Sequence, residues 1–168
     1  MTDLDTDFEA LYRAEVHGLT RVGTALTGSP ETAAELVHEA FVRALRNWPK
    51  VRRLDRPGAW VRRVLINLAI DTGRRRQRER RAVERLGRDD AAASSPGEPV
   101  VERYWDEVRR LPERQQLAVV LRYVDDRSVA EIAEVMGVTE GTVKTSLFTA
   151  RRTLAAAFAV EEGSDDLR

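Results

Sequence analysis

Apolar residues recur at intervals of three and four positions along most of this chain, a spacing typical of amphipathic helices. One stripe runs through residues 8–26, a second through 33–48 with Leu45 on its buried side, and a third through 60–68. Further stripes follow from Val101 onwards. Because neither strand-like alternation nor an internal repeat competes with this period, the sequence predicts an all-α fold.

Turn residues divide these stripes into separate helices. Gly28, Ser29 and Pro30 separate the first two, with Gly past one helix end, Ser as the next cap and Pro at the first helical position. Pro49 is expected to end the second helix directly after Trp48.

One stretch has no apolar stripe at all. Residues 87–99 read GRDDAAASSPGEP, a composition typical of a flexible linker. We therefore predict a first helical domain over 1–86, a flexible linker over 87–100, a second helical domain over 101–160 and an acidic tail over 161–168.

Charge is balanced overall, with 28 basic and 28 acidic residues, but it is unevenly distributed. Residues 43–88 carry sixteen basic residues against four acids, whereas 1–42 and 89–168 are both acidic. The middle block is an electrostatic footprint for phosphates. A solvated helix face rich in arginine is the alternative explanation, and a GC-rich genome would also favour arginine over lysine.

Several functional classes find no support in the sequence. Without cysteine there is no disulfide, thiol nucleophile or cysteine-based zinc site, and His17 and His38 are too few for a metal cluster. No apolar run is long enough for a membrane span, and residues 1–9 are acidic rather than signal-like. No nucleophile–base pair or phosphate-binding glycine loop is present. We expect a cytoplasmic protein that is not an enzyme, with no metal, cofactor, membrane association or small-molecule substrate.

The clearest motif lies near the C-terminus. Residues 128–136 form a short amphipathic stretch, Gly137 is suited to a turn, and Thr139 is suited to cap a second helix. That helix has an apolar face consisting of Val143, Leu147, Ala150, Leu154 and Phe158. Two helices joined by a glycine turn predict a helix-turn-helix, whose second helix enters the DNA major groove.

The opposite side of the second helix has the residue types that contact DNA. Cations reach phosphates or guanine, threonine contacts backbone or base edges, and an exposed phenylalanine packs on a thymine methyl. The candidates are Lys144, Thr145, Phe148, Thr149, Arg151 and Arg152. An ordinary helical hairpin with a solvated outer face is the alternative.

Three segments together resemble a known family. Residues 111–154, with LP, LRY, EIA and GTVK at their family positions, resemble the promoter-reading sigma-four domain of extracytoplasmic-function sigma factors, in particular the SigE-like group of high-GC bacteria. AAELVHEAF at 33–41 is similar to the family's polymerase-binding helix, and WVRRVLINLAID at 60–71 to its promoter-melting helix. These segments cover nearly the whole chain in the family's order.

The resemblance implies a sigma-two domain that docks on core RNA polymerase and holds the unwound −10 element. The implied polymerase contacts are Glu35, His38, Glu39, Arg43 and Arg46, with His38 standing where glutamine is usual. Ion pairs between successive turns, such as Glu39–Arg43, are the alternative explanation for these charges.

For the −10 element, the resemblance implies that Asn67 lies beside a base extruded from the non-template strand, next to the preceding loop at about 50–59. The implied backbone contacts are Arg62, Arg63, Arg74, Arg75 and Arg76. Ser146 and Thr149 depart from the family, because many members carry arginine there. We therefore predict weaker or altered −35 readout and more dependence on −10 contacts.

The implied function is that of an RNA polymerase sigma factor, which binds core polymerase, recognises −35 and −10 promoter DNA and promotes melting. An anti-sigma factor is a further partner that the resemblance allows. The alternative is an autonomous helix-turn-helix regulator with an N-terminal effector or dimerisation domain.

Overall fold

The computed structural model describes residues 3–85 and 100–165, all in α-helices or the turns between them. The all-α prediction is confirmed. The helices are α1 (Asp3–Thr27), α2 (Pro30–Arg46), α3 (Trp48–Val51), α4 (Pro57–Arg85), α5 (Val100–Arg110), α6 (Glu113–Tyr123), α7 (Val129–Met136) and α8 (Glu140–Asp165). No described helix has the length and apolarity needed to cross a membrane.

The chain divides into two compact units, Met1–Ala93 and Ser94–Arg168. The predicted linker, 87–100, lies outside the described residues except for Val100, which begins α5. Of the predicted acidic tail, residues 161–165 continue the backbone of α8.

In the first unit, α1, α2 and α4 pack against one another around a core that includes Leu19, Phe41 and Leu65. The turn between α1 and α2 follows the predicted capping: Gly28 has φ +71° and the Ser29 hydroxyl accepts a hydrogen bond from the Thr32 N–H at 3.1 Å. The local sequence therefore sets where α2 begins.

Two predictions about α2 were wrong. The helix ends at Arg46, and Trp48 begins the separate helix α3, in whose first turn proline is tolerated. Trp48 is buried there, with its ring 5.2 Å from that of Phe8, which agrees with a core role. Leu45, expected on the buried face, is 55% exposed because the bundle covers only the side of α2 that carries Phe41 and Ala44.

The second unit packs α5, α6 and α7 against α8. Its core includes Leu121, Ile132 and Val143, each fully buried. Tyr104 of α5 stacks on Phe158 of α8, with 6.2 Å between the ring centroids. This packing leaves one side of α8 open to solvent.

Candidate nucleic-acid interface

The helix-turn-helix is confirmed in α7 and α8. Ser128 and Glu131 form a reciprocal capping box at the start of α7. Gly137, with φ +65°, ends α7 in the left-handed conformation, which favours glycine. The Thr139 hydroxyl accepts from the Thr142 N–H at 3.2 Å and caps α8.

The start of α7 is also held by charge. Arg127 donates to Asp125 at 2.9 Å and to Glu131 at 3.2 Å. The pKa of Glu131 falls to about 2, chiefly because the Ser128 backbone N–H donates to its carboxylate, with further contributions from the Ser128 hydroxyl and Arg127. This carboxylate therefore stays ionised and fixes the entry to the motif.

All six predicted −35 residues are exposed on α8. Phe148, at 61% exposure, is the most exposed large apolar side chain of the helix-turn-helix. Lys144 lies 3.8 Å from Glu140, and the guanidinium of Arg152 lies 5.8 Å from the ring centroid of Phe148. These neighbours orient the two cations on the open face.

Arg151 has a partner that the sequence did not predict. Its Nε donates to the Tyr123 hydroxyl at 2.9 Å, and its guanidinium lies 5.9 Å from the centre of that ring. Tyr123 is the last residue of α6 and is 48% exposed. The LRY segment marked this tyrosine as a family feature, but its pairing with a residue 28 positions later depends on how α6 packs on α8.

Ser146 is buried, so it does not belong to the exposed face of α8. The prediction that serine at position 146 leaves the exposed face with one cation fewer was therefore wrong. Thr149 is exposed, and the same expectation remains a prediction for that position.

In the first unit, Arg63, Asn67 and Arg74 are exposed on α4. They lie at intervals of four and seven residues, which places them on one face of the helix. These three are among the residues that the resemblance implies for the −10 element, and the structure places them on one exposed face.

The prediction that Arg62 contacts DNA was wrong, because this residue is only 3% exposed. Its guanidinium donates to the Glu15 carboxylate of α1 at 2.8 Å, in the interior of the first unit. Gly58 makes room for this pair, since a Cβ there would collide with the Glu15 carboxylate. Arg62 therefore links α1 to α4 in the interior and does not lie on the surface that faces DNA in the resemblance.

The other predicted arginines are exposed but engaged to different degrees. Arg75 pairs with Glu79 at 2.9 Å, one turn further along α4. Arg76 donates to the Thr27 carbonyl at 3.2 Å and to the Thr32 hydroxyl at 2.8 Å. Arg76 thus links α4 to the corner between α1 and α2.

The predicted polymerase contacts all lie on α2. Glu35, His38, Arg43 and Arg46 are exposed and Glu39 is half-buried. Glu39 and Arg43 form the ion pair that their spacing predicted, at 2.8 Å. This pair leaves the outer side of α2 accessible.

Among the described residues, no group of three His, Cys, Asp or Glu side chains is placed to hold a metal ion. The candidate faces on α4 and α8 present guanidinium, ammonium, amide and hydroxyl donors, the chemistry that binds phosphates and base edges.

Two family models match the chain. Sigma-70 region 2 matches residues 11–79, which contain the α2 and α4 surfaces, and sigma-70 region 4 matches residues 102–154, which contain the helix-turn-helix.

Individual proteins agree with these matches. An RNA polymerase sigma-E factor of Streptomyces avermitilis is 31% identical over 146 residues, covering 86% of this chain and 80% of that protein. The ECF RNA polymerase sigma factor BldN of Streptomyces coelicolor is 38% identical over 136 residues, covering 76% of this chain and 51% of BldN. The sigma factor RpoE of Bartonella quintana, solved with the anti-sigma factor NepR, shares the fold with a TM-score of 0.71 at 20% identity, covering 92% of this chain and 98% of that one.

Proposed function

This chain belongs to the extracytoplasmic-function sigma factors of RNA polymerase, and we propose that its two helical units divide promoter recognition between them. As a sigma factor it binds core polymerase, recognises −35 and −10 promoter elements and promotes melting. Matches to both sigma regions in one chain disfavour the autonomous regulator. The observation that supports this division is that each region presents its own exposed face of cationic and hydrogen-bonding side chains.

We propose that α8 reads the −35 element. Lys144, Phe148 and Arg151 lie on its open side, where neighbouring side chains orient the cations. Oriented donors suit base edges in the major groove, and the exposed phenylalanine suits a thymine methyl.

We propose that the exposed face of α4 holds the melted −10 element. Asn67 is exposed between Arg63 and Arg74, so its amide can bond the edge of an extruded base while the arginines bind the strand backbone. Extrusion costs a few kcal/mol, which contacts to the flipped base offset.

The polymerase-facing role belongs, in this proposal, to the outer side of α2. Held on polymerase, the two units act as tethered binding modules, and each raises the effective concentration of the other at the promoter. The balanced net charge of the chain predicts poor DNA affinity without polymerase.

Three further expectations belong to this proposal. The chain lends specificity to the polymerase and catalyses no reaction itself. It acts in the cytoplasm, where the polymerase works. An anti-sigma factor regulates it, which is supported by the fold shared with the NepR-bound factor of Bartonella quintana.

The test is transcription in vitro with core polymerase on a library of randomised promoters. We expect initiation only when the chain is present, from templates that share −35 and −10 sequences. Asn67→Ala should reduce initiation on duplex templates more than on templates already mismatched at the −10 element. Absence of polymerase-dependent initiation on every template would overturn the proposal.

A further inference from the structure

The short helix α3 and the residues after it connect α2 to α4. Helix α3 comprises only Trp48–Val51, and residues 52–56, which we call the α3–α4 loop, lead directly into α4. The backbone N–H groups of Arg52, Arg53 and Leu54 donate to carbonyls within α3 at 3.0, 3.2 and 3.1 Å. The position of α3 therefore sets the position of the loop.

Helix α3 needs support from the rest of the unit. A helix of one turn is not stable by itself, because fixing its backbone costs more than its few hydrogen bonds return. Trp48 and Val51 are both buried, so packing supplies this support. The indole Nε1 of Trp48 has no hydrogen-bond partner among the described residues. Packing, and not a hydrogen bond, therefore holds the indole ring in place.

The start of α1 supplies contacts to both α3 and the loop. The ring of Phe8 meets that of Trp48 edge to face, with 5.2 Å between the centroids, an arrangement that aromatic pairs prefer. One residue earlier, the Asp7 carboxylate lies 3.4 Å from the guanidinium of Arg52 in the loop. Because an exposed ion pair contributes little, the Phe8 contact is the stronger of the two.

The loop lies at one end of the proposed −10 face. The Arg56 carbonyl accepts from the first backbone N–H groups of α4, and Asn67 follows about 16 Å further along the helix at 1.5 Å per residue. All side chains of the loop are exposed, and Leu54, at 44% exposure, is its one apolar residue. An apolar side chain suits the face of an extruded base, whereas a phosphate needs a cation or a hydrogen-bond donor.

We propose that the start of α1 controls which base the −10 face accepts. In this inference Phe8 and Asp7 are positioning residues, because they hold α3 and thereby place Leu54 against the base extruded beside Asn67. The inference rests on the proposed function. It adds to that function a control of −10 base preference by residues that do not contact the base themselves.

The test measures base preference with holoenzyme assembled from core polymerase and the full chain. Initiation is selected on a promoter recovered from the library, randomised either at the −10 element or at the −35 element. Phe8→Leu keeps an apolar side chain and removes the ring, and Asp7→Asn removes the charge that faces the loop. Leu54→Ala changes the loop itself, and the double variant Phe8→Leu/Leu54→Ala measures whether the two residues act together.

Helix α1 offers a matched control for each positioning residue. Tyr12→Leu removes a ring of the same helix that packs 4.7 Å from Phe41 of α2. Glu9→Gln removes an exposed acid whose partner, Arg13, lies within α1 itself. Chemical denaturation of every variant measures its stability separately.

Phe8→Leu should lower the preference for the favoured base at one −10 position by about threefold to tenfold. Asp7→Asn should lower it by about twofold, because the ion pair is exposed. Leu54→Ala should change the same position, and the double variant should lose no more preference than Leu54→Ala alone. Both controls should keep the −10 profile, and every variant should keep the −35 profile.

An unchanged −10 profile in Phe8→Leu overturns the inference. A loss spread evenly over all −10 and −35 sequences also overturns it, because Phe8 would then have only a structural role. Additive losses in the double variant, or an equal change in Tyr12→Leu, overturn action through the loop.

The exposed substitution Asp7→Asn keeps the inference testable where Phe8→Leu does not fold, and an unchanged −10 profile in Asp7→Asn then overturns it. Failure of wild-type holoenzyme to initiate on any promoter is a different result. It overturns the proposed function together with this inference.

Discussion

The recognition helix α8 and the far end of α4 both present cations, but they hold them differently. On α8, Arg151 is hydrogen-bonded to Tyr123 and Arg152 lies over Phe148. On α4, exposed arginines recur along one side of the helix, at positions 63, 74, 78, 81 and 85. Oriented side chains suit sequence-specific contacts, whereas a line of charges suits backbone binding.

The largest predicted effect is a loss of folding stability, and it distinguishes an arginine with a structural role from one that faces DNA. Arg62→Ala leaves Glu15 without its buried partner and should lower the free energy of unfolding by about 3 kcal/mol. Chemical denaturation of the full chain measures this loss. Its neighbour Arg63, which is exposed, provides the control: Arg63→Ala should weaken promoter binding and change stability by no more than about 0.5 kcal/mol. Equal stability of the two variants would contradict the structural role of Arg62.

Next in size is Lys144→Ala. Loss of an oriented base contact should cost about 1–3 kcal/mol of discrimination at one −35 base pair, measured by holoenzyme binding to promoters that differ at that pair. A uniform loss on all promoters, with the salt slope reduced by about one, would instead make Lys144 a phosphate contact. Helix α8 would then bind the DNA backbone through this residue, as is proposed for the arginines of α4.

Adding a cation to α8 should sharpen its readout. Thr149→Arg is expected to create a preference for guanine at one −35 position, worth about 1–2 kcal/mol, in a selection on randomised −35 sequences. Ser146→Arg is the contrasting variant, because its buried position predicts lower stability instead of a new preference. An unchanged base preference in Thr149→Arg would contradict the assignment of that position to the DNA-reading face.

A smaller effect is expected from Tyr123→Phe, which removes the hydroxyl that accepts from Arg151 and keeps the ring. Affinity for −35 DNA should fall by about 0.5–1 kcal/mol, and base preference near Arg151 should broaden. Tyr12→Phe, in the first unit, is the control for loss of an exposed hydroxyl. An unaltered preference profile would show that Arg151 does not need Tyr123 for its orientation.

The smallest effect is a pH dependence in the second unit. The pKa of folded Glu131 is about 2, below its ordinary value of 4.5, so the ionised carboxylate stabilises the fold above about pH 4.5. That contribution is lost as the pH falls from about 4.5 towards about 2. Thermal midpoints of the wild type and Glu131→Gln should therefore converge over this range. A constant difference between them would contradict the role of the capping box.

The sequence predicted best what is decided locally. The caps at Ser29 and Thr139 and the turn at Gly137 follow from rules that act within a few residues, and all three are present. The open side of α8 was also predictable, because its apolar face leaves the other side to solvent.

Contacts between distant residues were not predictable in the same way. Arg62 and Arg63 differ by one position, and only the approach of Glu15, 47 residues earlier, buries the first. The prediction that Leu45 is buried was wrong for a related reason. Periodicity marks an apolar position but does not show whether a neighbouring helix covers it. Neither outcome follows from the spacing of residues along one helix.

The hydrogen bonds of Arg76 have a geometric consequence. They fasten α4, with the proposed DNA surface, to the corner where α2, with the proposed polymerase surface, begins. The angle between these two helices is therefore fixed within the first unit. On the proposed assignment of these two surfaces, the orientation of the DNA-facing helix relative to the polymerase-facing helix is built into the folded unit and is not acquired on binding.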